Sequence, residues 1–140
     1  KGASEAMMRV GVNSCTDITG FGLMGHLSGM VKGSQAGARI RVADVPVLPG
    51  VWDLLEKGTV PGGTFRNMSS VEDVVDWDDV LSDQQKLLMC DAQTSGGLLI
   101  SVPKSKLDQL LAKLDASGVQ TKAVVGEITA ENPGRISVSA

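Results

Sequence analysis

The sequence has few cysteines and no long apolar run, and each shortage argues against a class of protein. Its 140 residues include two cysteines, Cys15 and Cys90, which are too few for a disulfide framework or a zinc cluster. Scarce cysteine is typical of a reducing cytosol, so we predict a cytoplasmic location. Because no apolar stretch could cross a membrane and no signal peptide is visible, we expect neither a membrane protein nor a secreted one.

Aromatic residues and positive charge are also scarce. The chain has no tyrosine, two Phe and two Trp, and its 13 basic and 16 acidic residues give a net charge of -3. Nucleic-acid binding depends on clustered positive charge and aromatic stacking, so DNA and RNA are poor candidate partners. A hydrophobic content of 42% over 140 residues predicts one domain with its own core. The first residue is not methionine, and we expect a piece of a longer protein.

Helical and strand patterns alternate along the chain. Apolar periodicity and capping residues predict helices at 3–10, 21–32, 49–57, 82–89 and 104–115. Ser82 is predicted to cap the fourth of these helices. The last is predicted to be amphipathic, with four leucines on one face: Leu107, Leu110, Leu111 and Leu114. Runs of β-forming residues predict strands at 12–16, 38–43, 98–102 and 123–128, with a short edge strand at 135–138. Residues 59–70 contain many turn formers and predict a loop, and the acidic run 72–79 predicts a solvated, locally helical segment. The fold class predicted is α+β, layered α/β/α, with a mixed β-sheet flanked by helices.

The densest motif lies between residues 15 and 26, where a strand is predicted to give way to a helix. Asp17 can bind a hard cation such as Mg²⁺, and the hydroxyls of Thr16 and Thr19 add neutral oxygens beside it. Thr19 is also placed to cap the following helix. Gly20 and Gly22 allow the backbone to approach an anion closely. The alternative is a glycine-tolerant packing helix with no ligand, and the spacing does not decide between the two.

The helix after this motif has two contrasting faces. Glycines at spacings of three and four share one face: Gly22, Gly25, Gly29 and Gly33. Apolar side chains predicted to seat the helix on a core share the opposite face: Phe21, Met24, Leu27 and Val31. Each interior glycine costs about 1 kcal/mol relative to alanine, so we expect another backbone or a ligand to pack against Gly25 and Gly29. His26 lies beside the glycines, and a structural role is favoured over a catalytic one.

A second motif resembles the first. Asp91, Thr94 and Ser95 precede the glycine pair Gly96 and Gly97, and an apolar strand follows. A carboxylate and hydroxyls again stand beside glycines at the end of regular structure. The alternative is a tight turn that leads into a strand, but two such segments favour a binding site more than either one does.

Residues 15–27 and 91–99 together resemble the C-terminal domain of selenophosphate synthetase (selenide, water dikinase), in the aminoimidazole ribonucleotide synthetase superfamily. The resemblance includes residues 62–67 and weakens after Val125. It implies that residues 1–140 are the single C-terminal domain of a longer two-domain protein, which forms a homodimer. It also implies that Mg²⁺ is the cofactor, and that ATP, selenide and water give selenophosphate. The alternative is a non-catalytic or regulatory superfamily member that uses the scaffold for assembly or small-ligand binding.

The resemblance also assigns residues to a site. Asp17 corresponds to an aspartate that coordinates the metal on the nucleotide phosphates. The remaining matches form the loop around Asp17 and the cleft between the domains: Thr16, Thr19, Gly20, Gly22, Asn67, Asp91, Thr94 and Ser95. The family's nucleophile and lysine belong to the N-terminal ATP-binding domain, which this sequence does not include. We therefore assign no catalytic residue in this sequence, and neither Cys15 nor Cys90 is predicted to be the nucleophile. We predict that the fragment alone is inactive.

Overall fold

Six α-helices and six strands are interspersed along residues 2–140, the part of the chain that the computed structural model describes. The α-helices there are α1 Gly2–Val10, α2 Gly22–Ser34, α3 Val51–Glu56, α4 Gly62–Ser70, α5 Asp83–Met89 and α6 Leu107–Ala116. The strands are β1 Ser14–Asp17, β2 Gly37–Arg41, β3 Val75–Trp77, β4 Leu98–Ser101, β5 Gly126–Thr129 and β6 Ile136–Ser139. Short 3₁₀ turns cover Val42–Asp44 and Lys104–Lys106.

The strands form two sheets. Four strands are ordered β3-β6-β2-β5, with β6 parallel to both neighbours and β2 antiparallel to β5. The other two, β1 and β4, form an antiparallel pair in which Asp17 lies opposite Leu98. The mixed sheet with its helices confirms the predicted fold class. The prediction of an edge strand at 135–138 is wrong, because β6 lies inside the sheet with Ile136 and Val138 buried.

The main core lies where α2 meets the four-stranded sheet. Met24, Leu27 and Val31 are buried along one face of α2, as their spacing predicts. A smaller core joins α1 to α6 through Ala6, Val10, Leu110 and Leu114, which confirms the amphipathic pattern predicted for the leucines. Ser82 and Gln85 form a capping box at the start of α5, so the predicted cap is confirmed.

Two segments differ from their predictions. Residues 62–70 form α4 rather than a loop, because tertiary packing outweighs the local preference for turns. Thr64 and Asn67 are buried on one face of α4 and donate hydrogen bonds to Asp91 and Cys90. The acidic run contains strand β3 rather than a helical segment. Pairing with β6 and burial of Val75 outweigh the local preference, while Asp76 points outward and forms an ion pair with Arg135.

On the glycine face of α2, no other backbone of residues 2–140 packs against Gly25, Gly29 or Gly33, and packing by a ligand there stays a prediction. A Cβ added at Gly29 or Gly33 would meet nothing within 4 Å among the described residues, and one at Gly25 would meet only Phe21. Phe21 is 67% exposed and does not join the buried face of α2. The reason is that the helix begins at Gly22, so Phe21 is the cap residue and lies outside the helical periodicity.

Helix α3 is shorter and more exposed than its pattern predicts. The spacing of Val51, Leu54 and Leu55 predicts a buried edge, but Val51 and Leu55 are only half-buried. Leu54 is exposed. The helix has fewer than two turns and packs mainly beside α5, so it presents little surface to the core.

Candidate functional site

The two motifs meet at one end of the β1–β4 pair. Beyond the strands, the backbone N–H of Ile18 donates to the Gly97 carbonyl at 2.9 Å, and that of Gly96 donates to the Ile18 carbonyl at 3.1 Å. The N–H of Gln93 donates to the Thr19 carbonyl at 3.2 Å. The structure therefore places the Asp17 loop directly against the loop that follows Asp91.

Two glycines allow this close approach. A Cβ at Gly96 would lie 2.3 Å from the Ile18 carbonyl oxygen. Gly22 has a φ of +69°, and a Cβ there would lie 2.6 Å from the backbone carbon of Cys90. The space at Gly22 is thus filled by the chain itself. Gly20, by contrast, is exposed, and a Cβ there would meet nothing within 4 Å among the described residues.

Asp17 is the last residue of β1 and is exposed. Within residues 2–140, no hydrogen bond or ion pair involves its carboxylate. The hydroxyl of Thr16 donates to the Asp17 carbonyl at 3.2 Å, so it contacts the backbone rather than the carboxylate. The Asp17 carboxylate is therefore free to bind a cation without first breaking an internal ion pair.

His26 reaches from α2 to both threonines of the loop. Its Nε2 accepts a hydrogen bond from the Thr19 N–H at 3.1 Å and lies 3.0 Å from the Thr19 hydroxyl. Its Nδ1 lies 3.5 Å from the Thr16 hydroxyl. The prediction that Thr19 caps α2 is wrong, because the cap residue is Phe21 and makes no side-chain bond. Thr19 supports the helix start only through its carbonyl, which accepts from the Gly22 N–H at 3.0 Å.

Helix α4 ties the two loops together from the buried side. Asn67 is 7% exposed, and its Nδ2 donates to the Gly20 carbonyl at 2.8 Å and to the Cys90 carbonyl at 3.1 Å. Thr64 is fully buried, donates to the Asp91 carboxylate at 3.3 Å, and accepts from the Ala92 N–H at 3.1 Å. Sequence reasoning missed Thr64, because its alignment with Asn67 at a spacing of three appears only when residues 62–70 form a helix.

The remaining predicted residues lie on the second loop. Asp91 is half-buried under Thr64, whereas Thr94 and Ser95 are exposed in the turn between α5 and β4. No side-chain hydrogen bond from Thr94 or Ser95 is present within the described part of the chain. We call the contact between the Asp17 loop and the loop after Asp91 the junction. Its buried side is fixed by hydrogen bonds from α4, and its exposed side carries polar groups that a ligand could contact.

Neither cysteine is suited to act as a nucleophile. Burial raises the pKa of the Cys90 thiol to about 12. Burial, and secondarily the charge of Asp17, raises the pKa of Cys15 above its ordinary value. Because the thiolate is the reactive form, both side chains are poor nucleophiles at neutral pH.

The donor groups of the junction fit part of a magnesium site. Among residues 2–140, no group of three His, Cys, Asp or Glu side chains is placed to hold a metal ion alone. Magnesium in phosphoryl-transfer sites is usually bound by one or two carboxylates together with water and substrate phosphates. The exposed, unpaired Asp17 carboxylate fits the role of one such ligand.

Comparison of this sequence with models of known protein families identifies the class of protein to which the fold and the junction belong. The family model described as AIR synthase related protein, C-terminal domain, matches residues 2–139. The chain belongs to this family. Within residues 2–140, no helix combines the length and apolar content needed to cross a bilayer.

Several curated relatives share one printed name. The chain is 45% identical over 127 residues to a selenide, water dikinase of Pelobacter propionicus, and the aligned region covers 91% of this chain and 36% of the relative. It is 47% identical over 119 residues to one of Photobacterium profundum, with 84% and 34% covered. It is 40% identical over 136 residues to one of Carboxydothermus hydrogenoformans, with 97% and 39% covered. The predicted family is confirmed, and the chain spans just over a third of the length of these relatives.

Proposed function

We propose that this chain is the C-terminal domain of a selenophosphate synthetase, which converts selenide, ATP and water to selenophosphate, AMP and phosphate. The shared name of the relatives supports the reaction, and these relatives are 40–47% identical over 84–97% of this chain. One structural observation carries the site assignment. The exposed Asp17 carboxylate, without an internal partner in residues 2–140, lies where the two motif loops meet.

Asp17 is the residue of this chain that would hold Mg²⁺. When bound, the ion would neutralise negative charge on the phosphates of ATP. Around the carboxylate, Thr16, Thr19, Gly20 and Gly22 would fix the course of the loop. On the neighbouring segments, Asn67 and Asp91 would support the cleft, and Thr94 and Ser95 would face the substrate phosphates.

The rest of the site would come from outside this chain. In the proposed two-domain protein, the N-terminal domain supplies the nucleophile, a lysine and further metal-binding aspartates. The site would therefore be complete only at the junction of the two domains. We further propose that the full-length protein is a cytoplasmic homodimer, in keeping with the family resemblance and the low cysteine content.

Replacing Asp17 with asparagine in the full-length protein tests the assignment. We expect Asp17→Asn to abolish ATP turnover while leaving the melting temperature almost unchanged, because one ligand is lost but the side-chain shape is kept. Asp79→Asn is a matched control, since Asp79 is also exposed but lies in the turn after β3. Unchanged turnover in Asp17→Asn would refute the metal role. A full-length parent that consumes no ATP would instead support the non-catalytic alternative.

A further inference from the structure

The backbone that follows Asp17 lacks a regular strand or helix to fix it. Pairing with the second loop ends at Thr19, whose carbonyl accepts from Gln93, and α2 begins only at Gly22. Within residues 2–140, the acceptor for the Thr19 N–H is the imidazole of His26. A side chain from α2 therefore satisfies the amide two residues beyond the candidate metal ligand.

The same imidazole also reaches the residue before Asp17. Its Nδ1 lies 3.5 Å from the Thr16 hydroxyl, while Nε2 is shared by the amide and hydroxyl of Thr19. One rigid ring thus spans the two threonines that bracket Asp17. The rings of Phe21 and His26 form a T-shaped pair, with centroids 5.8 Å apart and an angle of 64° between their planes.

These bonds define the state of the ring and restrict its role. An N–H donor to Nε2 requires that nitrogen to be unprotonated, so the neutral ring carries its hydrogen on Nδ1 and points it toward Thr16. Nε2 is already engaged by Thr19, so His26 could not accept a proton from a substrate without releasing the loop. The geometry favours a supporting role over direct chemistry.

From these contacts we infer that His26 is a positioning residue, which holds the Asp17 carboxylate in its metal-binding position by fixing Thr16 and Thr19. This inference rests on the proposed function, because it assumes that Asp17 is a ligand. Residues that orient a metal ligand change metal affinity by about 10- to 100-fold when they are removed. If His26 only attached the loop to α2, replacing it would lower the stability of the folded protein and leave the Mg²⁺ requirement unaltered.

Three variants of the full-length protein separate these roles. His26→Leu keeps bulk but removes both ring nitrogens, whereas His26→Gln offers an amide oxygen at about the reach of Nε2. Met30→Ala, one helical turn further along α2 at another half-buried position, is a control for general destabilisation. For each variant, the Mg²⁺ concentration giving half-maximal ATP turnover, Mg-ATP binding by calorimetry, and the melting temperature are measured.

We expect His26→Leu to raise the Mg²⁺ requirement and weaken Mg-ATP binding about tenfold or more. His26→Gln should restore most of the loss, and Met30→Ala should lower the melting temperature without changing the Mg²⁺ requirement. The inference is overturned if His26→Leu melts lower but keeps the parent's Mg²⁺ requirement, or if His26→Gln is no better than His26→Leu.

A spectroscopic readout keeps the inference testable even if His26→Leu does not fold. In full-length protein labelled with ¹⁵N-histidine, the imidazole signal that His26→Gln removes should report a neutral ring protonated on Nδ1. A ring protonated on Nε2 would contradict the hydrogen bond from Thr19. The Asp17→Asn variant tests the proposed function separately: if it loses turnover while His26→Leu keeps the parent's Mg²⁺ requirement, only the role of His26 is refuted.

Discussion

The two sheets of this domain are built from strands of similar length, but they differ in what surrounds them. In the four-stranded sheet, Ile40, Ile136 and Val138 are buried in the main core. In the β1–β4 pair, every residue is half-buried or exposed, and its end carries Asp17. The main core depends largely on the first sheet, and the candidate site lies at the end of the second. The four-stranded sheet thus lines the main core, whereas the end of the β1–β4 pair leaves the candidate metal ligand exposed.

The largest effect should come from filling the space at Gly22, where the two motif loops touch. Gly22→Val combines a strained positive φ with a collision against the backbone of Cys90, so we expect a loss of at least about 3 kcal/mol of unfolding free energy. The matched control is Gly29→Ala on the same helix, which should gain about 1 kcal/mol because the site is open and alanine favours helix. Denaturant unfolding of both variants measures the difference. Equal stability would show that the loops do not meet as described.

A smaller effect should follow from cutting the tie that α4 makes between the loops. Asn67→Ala leaves the carbonyls of Gly20 and Cys90 without their donor, and we expect it to cost about 1–3 kcal/mol and to raise the Mg²⁺ requirement of the full-length protein. Ile136→Ala, in the core of the other sheet, should cost about 2–5 kcal/mol without altering that requirement. If both variants shift the Mg²⁺ requirement equally, the two sheets are not functionally distinct.

The smallest effect concerns the exposed ion pair on the four-stranded sheet. The hydrogen bond from Arg135 lowers the pKa of Asp76 below its ordinary value of 3.8. A lowered pKa means that the pair stabilises the folded state fully above pH 3.8, and that this contribution is lost as pH falls through the lowered value. We expect Asp76→Asn to melt slightly below the parent at neutral pH and to approach it below pH 3.8. A constant gap between their melting temperatures across this range would contradict the assignment.

The sequence predicted those features that depend on residues close together in the chain. The buried face of α2, the leucines of α6 and the Ser82 capping box all follow from spacing within one segment. β3 and the interior position of β6 depend on pairing between residues distant in sequence, which no local pattern encodes. Helix α4 was not predicted, because turn-forming residues occur along much of its length and its burial depends on contacts with a distant segment.

The candidate site was predictable in its parts but not in its assembly. The motifs around Asp17 and Asp91 stand out by composition, and the family resemblance assigns both of them to one cleft. The ties made by His26, Thr64 and Asn67 could not be read from the sequence, because each depends on a helix face directed at a loop from another part of the chain.

In the proposed function, this domain carries half of a metal–nucleotide site, centred on Asp17. Calorimetric titration of ATP in the presence of Mg²⁺ tests it most directly, with the 140-residue chain, the full-length protein and full-length Asp17→Asn measured side by side. We predict Mg²⁺-dependent binding to the full-length protein, much weaker binding to Asp17→Asn, and weak or no binding to the 140-residue chain. Tight, Mg²⁺-dependent binding to the 140-residue chain alone, or unchanged binding to full-length Asp17→Asn, would contradict the account.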